Sequence, residues 1–593
     1  MKSLRFSPLL KSIVGLATLF VLVFLGLAMA TSTHAQTDTM YIGPNNGLYS
    51  SPANWSNGVP TNNTFHAINN TDFIIRLDID PTINSLTLGA TTGRLFGTDH
   101  NLTVTGSTGM GAGNRINVVA QSLPNVKFDL GNLTNFSGTT LNSGRYVVGA
   151  APGTTSKLQF NGANIVTNSA RIDLLGAGAS IVDENGANAL VNLTTISITG
   201  VLVIGSGYNF TTNNNFTTEG HLAVTPGSTA TFNGSFVLVP GEPQDARTGL
   251  IENFGTDDPS ADTATGDGRF VVNGNFSAYD SATNTLGPVA LWASAFGTKT
   301  ATTQFNNANI ITSNGDIRLL GDNARFVDQN GNDGLRNLAV NNNVFQTGRR
   351  TRTTAGDFTN NGGGVNFPGG YMFIGGGTNL TVAGTLTNNG LLDFATYDIQ
   401  QDIGVPGFPP APDGVLPSNI TVNGNMALTG NSGLFCEIYS TAITASYHVL
   451  GQATLGGTLD LFFTFDDSLV SSTDTFTLLQ ADGGITGAFS NIASGGRLDA
   501  FFFGASEPSG SFRVNYTGHA LTITDYQVTQ TPTPTPTPTP HPPHATPTPR
   551  PHATPTPTPT PTPHAPHATP TPTPHPPPAS PTPTPTPMGQ SKL

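Results

Sequence analysis

The chain has 593 residues, a formal net charge of −13 and 10% charged residues, whereas ordinary globular domains contain about 25%. This balance argues against nucleic acid and anionic membrane surfaces as partners, because basic stripes bind both. To a lesser degree it also argues against a polyanionic sugar as a tight ligand. The single cysteine, Cys436, excludes an internal disulfide, so the core must stabilise the body by itself.

The N-terminus has the parts of a secretory signal. Basic residues within the first eleven positions precede an apolar run over residues 13–30. Small residues then provide cleavage points after Ala30 and after Ala35. We therefore expect a signal peptide over 1–35, Sec-type export to the cell surface or extracellular space, and no membrane span in the mature chain. An uncleaved membrane anchor is the alternative.

The body of the chain has the pattern of many short strands. Runs of β-forming residues at 73–79, 201–205 and 269–276 are each closed by residues that favour turns. Apolar residues almost nowhere recur at the helical period of 3.6. The sequence therefore predicts an all-β fold.

One block of the body occurs twice. Residues 159–193 recur at 304–338, and 19 of the 35 aligned residues are identical. Glycine-centred motifs downstream keep the same order in both copies, so the duplication covers about 159–276 and 304–426. Such internal repetition is typical of stacked structural units.

A 40-residue step inside each copy predicts the size of the stacked unit. A hydrophobic-x-Gly-x-hydrophobic motif lies at Gly234 and Gly274, and again at Gly384 and Gly424. We interpret each step as two coils of about 20 residues, which gives about seven coils per duplicated unit.

Coils of this size predict a parallel β-helix, or β-solenoid, over residues 36–440. It would contain roughly 17–20 coils, each stacked about 4.8 Å from the last. The Asn-rich stretches at 213–215 and 341–343 would form stacked amide ladders. Tandem β-sandwiches are the alternative fold.

The C-terminal part changes character twice. Residues 441–530 contain longer and more aromatic strands, which predict a terminal β module that caps the stack. From residue 531 threonine and proline alternate, and this pattern predicts an extended, disordered stalk over 531–593.

Two segments resemble a known group of proteins. Trp55, Gly58 and Pro60 precede a strand and the sequence INSLTLG at 83–89, and residues 447–490 are similar to the end of the same proteins. The group comprises large secreted bacterial β-strand-repeat proteins that resemble autotransporter passenger domains. The resemblance implies a bacterial origin and a right-handed parallel β-helix, and it carries no catalytic residue to this chain.

Four acidic residues form the candidate metal site: Asp257, Asp258, Asp262 and Asp267. They concentrate the hard oxygen ligands that Ca²⁺ prefers. Their spacing does not match the EF-hand loop, so we expect a solvated loop and no cofactor, with Ca²⁺ as the alternative.

Other polar motifs have structural interpretations. Asp183 and Asp328 each begin a repeated Asp-x-Asn-Gly sequence, which favours a tight turn. The basic run at 349–352 predicts an exposed loop.

Two charge pairs suggest chemistry more directly. Arg171 with Asp173, and Asp316 with Arg318, lie two residues apart on one face of a strand. Polysaccharide lyases use basic residues beside carboxylates in this way. The charge order reverses between the copies, which suits surface ion pairing equally well. We therefore assign no catalytic residue.

These patterns favour an exported, non-enzymatic β-solenoid that acts as a surface, matrix or adhesion protein. Its partners would be glycans or cell-envelope components. The alternative is a polysaccharide-binding or polysaccharide-cleaving β-helix that uses Asp173, Asp316 or the acidic loop. Cleavage would require carboxylates that converge within about 5–9 Å.

Overall fold

The computed structural model describes residues 36–240, 250–255, 265–361, 370–395, 416–441, 445–463, 467–502 and 505–529. The expected signal peptide and Thr-Pro stalk lie outside these residues. Three stacks of short strands account for most of the described chain. Each coil contributes one strand to each of the three stacks. Residues 85–110, for example, contain a strand of the second stack, then one of the first, one of the third and again one of the second. We call the stacks the first, second and third faces.

The first face is a continuous stack of 17 parallel strands. At about 4.8 Å per strand, this stack extends for about 77 Å. Its strands are Gly47–Leu48, Ile74–Leu77, Arg94–Thr98, Arg115–Ala120, Arg145–Ala150, Arg171–Leu175, Val201–Gly205, His221–Val224, Leu250–Gly255, Ala290–Ala295, Asp316–Leu320, Val344–Gly348, Tyr371–Ile374, Leu391–Phe394, Gly433–Ile438, Thr458–Phe463 and Arg497–Phe502.

The second face is made of shorter strands and is interrupted by two hairpins. In the hairpins Phe136–Ser137 pairs antiparallel with Thr140–Leu141, and Tyr279–Asp280 with Thr285–Leu286. The other strands are Thr37–Met40, Phe65–Asn69, Ser85–Leu88, Ser107–Met110, Asn132–Leu133, Thr167–Asn168, Thr195–Ile196, Phe216–Thr218, Phe236–Leu238, Thr312–Ser313, Val340–Asn341, Phe358–Asn360, Leu386–Asn388, Met426–Leu428, Ala453–Leu455 and Ile485–Gly487.

The third face completes each coil. Its strands pair in parallel within three runs that begin at residues 82, 209 and 351. They are Thr82–Ile83, Leu102–Val104, Asn125–Asp129, Thr155–Gln159, Ala179–Val182, Asn209–Thr212, Thr229–Phe232, Gly268–Val272, Ala301–Phe305, Ala324–Val327, Thr351–Thr353, Asn379–Val382, Ser418–Val422, Ala445–Val449 and Thr475–Ala481.

The core lies between the three faces. Alternate side chains point inward, and in the strand Arg115–Ala120 this buries Ile116 and Val118 completely. Phenylalanines stack along the interior, and the ring centroids of Phe232 and Phe236 are 4.6 Å apart in an edge-to-face arrangement. The fold is therefore the predicted parallel β-solenoid. A single interior runs continuously along one stack of coils.

The predicted size of the coils is wrong. Thr229–Phe232 pairs directly with Gly268–Val272, and Leu386–Asn388 pairs directly with Met426–Leu428. Each 40-residue step is therefore a single long coil rather than two short ones. The duplicated unit also contains five coils instead of seven, because five strand-to-strand steps on the third face separate Thr155–Gln159 from Ala301–Phe305.

The parallel stack continues past residue 440, where the terminal module was expected to begin. Antiparallel pairing is found in the strands Gly510–Tyr516 and Ala520–Val528, which close onto Thr475–Ala481 and Arg497–Phe502. These strands form the cap at this end of the stack. One short 3₁₀ helix, Pro52–Asn54, lies near the other end. Nowhere among the described residues does a helix have the length and apolar character needed to span a bilayer.

The predicted amide ladders are present. We call the fully buried set Asn341, Asn360 and Asn388 the buried ladder, in which each Nδ2 donates to the next Oδ1 at 2.7 Å. A second set lies at the surface and repeats the same contact at 2.8–3.0 Å. This surface ladder consists of Asn314, Asn342, Asn361 and Asn389. Parallel coils place like residues directly above one another, so one amide satisfies the next.

Candidate functional site

Four arginines form a column on the outer side of the first face. Arg94 pairs in register with Arg115, Arg115 with Arg145, and Arg145 with Arg171. At the usual strand spacing the column is about 14 Å long. We call these four residues the arginine column. Their separations in sequence are 21, 30 and 26 residues, so no regular period marks them.

One carboxylate neutralises part of this column. Asp173 is 4% exposed and accepts hydrogen bonds from Arg145 Nη2 at 2.7 Å and from Arg171 Nε at 2.8 Å. Arg115 instead donates from Nε to Asn117 Oδ1 at 2.5 Å, and its guanidinium lies 5.1 Å from the centroid of the Phe96 ring. Four cations therefore meet one carboxylate, which leaves a local charge of about +3.

Arg94 and Arg115 carry the charge that is not paired. Arg94 is half-buried, and its side chain makes no hydrogen bond or ion pair with any residue that the structure describes. Burial, followed by repulsion from Arg145, lowers the pKa of Arg115 to about 10, so this side chain remains cationic at neutral pH. Arg94 can therefore accept an anion without losing an existing contact.

Acidic turns confine the positive surface to a narrow stripe. At one end of the strands Asp72 Oδ1 accepts a hydrogen bond from the backbone N–H of Thr92 at 2.8 Å. At the other end Asp99 accepts hydrogen bonds from several backbone N–H groups, including that of Gln121 at 2.7 Å. The arginine column is thus one side chain wide and has carboxylates at both edges, and beside Arg94 it is flanked by the exposed Arg76 of the preceding strand.

The two charge pairs that the sequence singled out do not form one site. Arg318 donates from Nε to Asp316 Oδ1 and from Nη2 to Asp316 Oδ2, and its guanidinium lies 3.9 Å from the centroid of the Trp292 ring. Asp173 lies five strands away on the same face. That separation is about 24 Å, well beyond the range of about 5–9 Å required for sugar cleavage.

The proposed Ca²⁺ ligands are only partly visible. Asp257, Asp258 and Asp262 lie outside the described residues. Asp267 is described, and its Oδ1 accepts a hydrogen bond from the backbone N–H of Thr300 at 2.8 Å. Within the part of the chain that the structure describes, no three His, Cys, Asp or Glu side chains are grouped to hold a metal ion.

The repeated Asp-x-Asn-Gly sequences are tight turns, as predicted. Asp183 Oδ1 accepts two backbone N–H groups of its own turn, at 2.9 and 2.7 Å. Asp328 does the same at 2.9 Å in both bonds. Gly186 and Gly331 have φ of 81° and 82°, a conformation that glycine adopts without strain. The carboxylates therefore hold the turns.

The prediction of an exposed loop for the basic run at 349–352 is wrong. Arg350 and Arg352 are only 9% and 7% exposed. Their guanidinium groups donate to backbone carbonyl oxygens, including those of Gly321 and Leu335. These two arginines satisfy carbonyl groups in neighbouring coils and are not available to a ligand.

Two buried acid contacts were not singled out from the sequence. His221 Nε2 lies 2.8 Å from Glu252 Oε2, and Tyr371 donates to Asp393 Oδ2 at 3.0 Å. All four residues lie on the first face, where His221 is two strands and Tyr371 seven strands from Arg171. Burial raises the pKa of Asp393 to about 7.

Asp393→Asn should raise the melting temperature at pH 8 and leave it almost unchanged near pH 4. Protonated Asp393 favours the folded state fully below its unfolded pKa of 3.8, and this stability is lost as the pH rises towards 7. Asparagine is neutral throughout, so the variant should lose that part of the pH dependence. Thermal melts of both proteins at the two pH values provide the measurement. An equal difference at both pH values would contradict the prediction.

Comparisons of the chain with protein-family models, with curated proteins and with solved structures found no match.

Proposed function

We propose that the protein is an exported, non-enzymatic β-solenoid that acts as a surface, matrix or adhesion protein. The arginine column is the observation that carries this proposal. It repeats one charged contact from coil to coil, and repeated weak contacts on one rigid body give high overall avidity. A solenoid that adheres through such a column needs no reacting group.

The pairing of the acidic residues supports binding over cleavage. Asp173 is held by two arginines, and Asp316 by Arg318. Ion pairing accounts for each carboxylate, and the two do not converge as cleavage of a sugar chain requires. The second candidate function, polysaccharide binding, is favoured by the arginine column itself.

Export is part of the proposal and rests on the N-terminal sequence. The basic start, the apolar run and the small residues near Ala30 and Ala35 support a cleaved signal. We expect the exported chain to begin immediately after one of these residues. Mass spectrometry of the protein recovered from the cell surface or culture medium would establish which.

Incubation of the full chain with a panel of plant and microbial glycans tests the absence of catalysis. We expect the protein to be retained on some of the glycans without releasing new reducing ends. Asp316→Asn should behave like the wild type, because this carboxylate forms an ion pair with Arg318. Reducing ends released by the wild type and lost in Asp316→Asn would contradict the proposed function.

A further inference from the structure

We propose that the arginine column binds a linear anionic polysaccharide through its carboxylate or sulfate groups. This inference rests on the proposed adhesive function and assigns its ligand. A guanidinium group forms paired hydrogen bonds with the oxygens of such anions. Arg94 and Arg115 would provide the first contacts, because Arg145 and Arg171 already share Asp173.

The spacing of the column suits an extended sugar chain. Directly paired residues on parallel strands recur every 4.8 Å or so, which is close to the length of one pyranose unit in an extended polymer. A polyuronate places one carboxylate on every unit. Successive units of an extended polyuronate turn about the chain axis, so the carboxylates on one side of a two-fold chain recur about every two strand spacings, or about 10 Å. Such a chain could therefore place a carboxylate at every second arginine without bending the stack.

The column is an unfavourable arrangement for the protein alone. Like charges directly opposite one another on neighbouring strands destabilise a sheet. The chain contains only 23 lysines and arginines in 593 residues, yet four of them share this column. Asp173 compensates only part of this repulsion, and a local rule broken without full compensation is typical of a functional site.

The internal duplication shows that the coil itself does not require the arginines. The strand Ala290–Ala295 follows Arg145–Ala150 by 145 residues, the same offset as between the two copies, and Ala290 stands at the position of Arg145. Asp316 likewise stands where the first copy has Arg171. These later coils keep the fold with neither cation, so Arg145 and Arg171 are not required for a coil of this kind to form.

The shape of the charged surface separates a sugar chain from other polyanions. Duplex DNA carries about one charge per 1.7 Å and needs a broad basic surface, whereas the column is one side chain wide. Single-stranded nucleic acid uses aromatic platforms, and the ring beside the column, Phe96, lies under Arg115. A flat membrane would also meet the acidic turns at Asp72 and Asp99.

The composition alone argues against a polyanionic sugar, because the net charge of the chain is −13. That charge does not prevent binding at the arginine column. At physiological ionic strength a charge is screened beyond about 8 Å. A narrow ligand on the column therefore experiences the charges of the four arginines, of Asp173 and of the edge carboxylate Asp72, which sum to a positive value, rather than the charge of the whole chain.

Calorimetric titration of the full chain with polygalacturonate oligomers tests the inference. We expect binding that weakens with added salt, and no binding of neutral dextran of the same length. Arg94→Gln/Arg115→Gln should bind at least about tenfold more weakly. The matched control is Arg269→Gln/Arg325→Gln, which removes the same charge from the third face and should bind like the wild type.

Thermal melts of the same proteins show whether each variant is folded and whether the ligand stabilises it. Arg94→Gln/Arg115→Gln should unfold at or above the wild-type temperature, because it relieves repulsion within the column. Polygalacturonate at low salt should raise the melting temperature of the wild type and of the control, but not that of the column variant.

Several outcomes would overturn the inference. They are equal losses of affinity in the two double variants, tighter binding of single-stranded DNA of the same charge, and absence of polygalacturonate binding in a protein that still adheres to cell envelopes. The last outcome would leave the proposed function intact. Release of reducing ends from the bound polymer would instead contradict the proposed function while leaving the binding site in place.

Discussion

Asn360→Asp should destabilise the solenoid by about 3–5 kcal/mol, the cost of a buried charge without a partner. Asn360 is fully buried, and its Nδ2 donates to Asn388 Oδ1 and to the carbonyl oxygens of Gly370 and Leu391. A carboxylate would remove this donor and place its oxygens against three acceptors. The carboxylate's other oxygen would still accept the hydrogen bond from Asn341 Nδ2, so the side chain could not turn away from the three acceptors without losing that bond.

Asn361→Asp is the matched control for this change. Asn361 is the next residue, but it is exposed and lies in the surface ladder, where it donates to Asn342 Oδ1 at 3.0 Å. Water can solvate the new charge there, so we expect a loss below about 1 kcal/mol. Urea unfolding of both variants provides the comparison. Equal destabilisation by the two changes would show that the buried ladder is not formed.

Gly176→Ala and Gly321→Ala should each cost more than about 3 kcal/mol. The two glycines are equivalent in the two copies and have φ of 95° and 83°. A Cβ at either position would lie 1.9 Å from a backbone oxygen, that of Ala150 or Ala295. Both the backbone conformation and the approach of the previous coil therefore require glycine.

Gly186→Ala separates these two requirements. Gly186 has φ of 81°, yet a Cβ there would meet no atom within 4 Å. We expect this variant to lose only about 1–2 kcal/mol of stability, which is the cost of the backbone conformation for a residue with a Cβ. Thermal unfolding of the three alanine variants tests the difference. Similar losses in all three would mean that the previous coil does not approach Gly176 and Gly321 as closely as described.

The sequence was most informative where structure depends on neighbouring residues. Alternating β-formers and turn residues predicted the strands, and the Asp-x-Asn-Gly sequences predicted turns held by Asp183 and Asp328. The duplication predicted stacking, and stacked asparagines followed from it. These features depend on local conformation or on like residues repeating, and both are visible in one dimension.

The number of residues in each coil could not be read from the sequence. A coil in this stack needs only three short strands, and any extra residues lengthen a connection without changing the pairing. Gly234 and Gly274 therefore lie on adjacent coils although 40 residues separate them, and a Cβ at Gly274 would lie 2.0 Å from the carbonyl oxygen of Gly234. A long coil and two short ones have the same hydrophobic pattern.

The candidate site was hidden for the same reason. The arginine column assembles from residues at irregular separations, so the sequence indicated the Arg171 and Asp173 pair but not the three other cations near it. The basic run at 349–352 led to the opposite error, because adjacent charges in sequence are buried against backbone carbonyls. A column of side chains in this fold assembles only when the coil lengths bring its residues into register.

Disulfide formation between engineered cysteines tests the arginine column most directly. Arg94 and Arg115 are paired in register, so their Cα atoms are about 4.8 Å apart, within the range of about 4.4–6.8 Å that a disulfide spans. Asn117 lies two residues further along the same strand, about 8 Å from Arg94. The natural Cys436 is buried and should not interfere. We expect Arg94→Cys/Arg115→Cys to oxidise readily and Arg94→Cys/Asn117→Cys to stay reduced, whereas the reverse result would contradict the register on which the column depends.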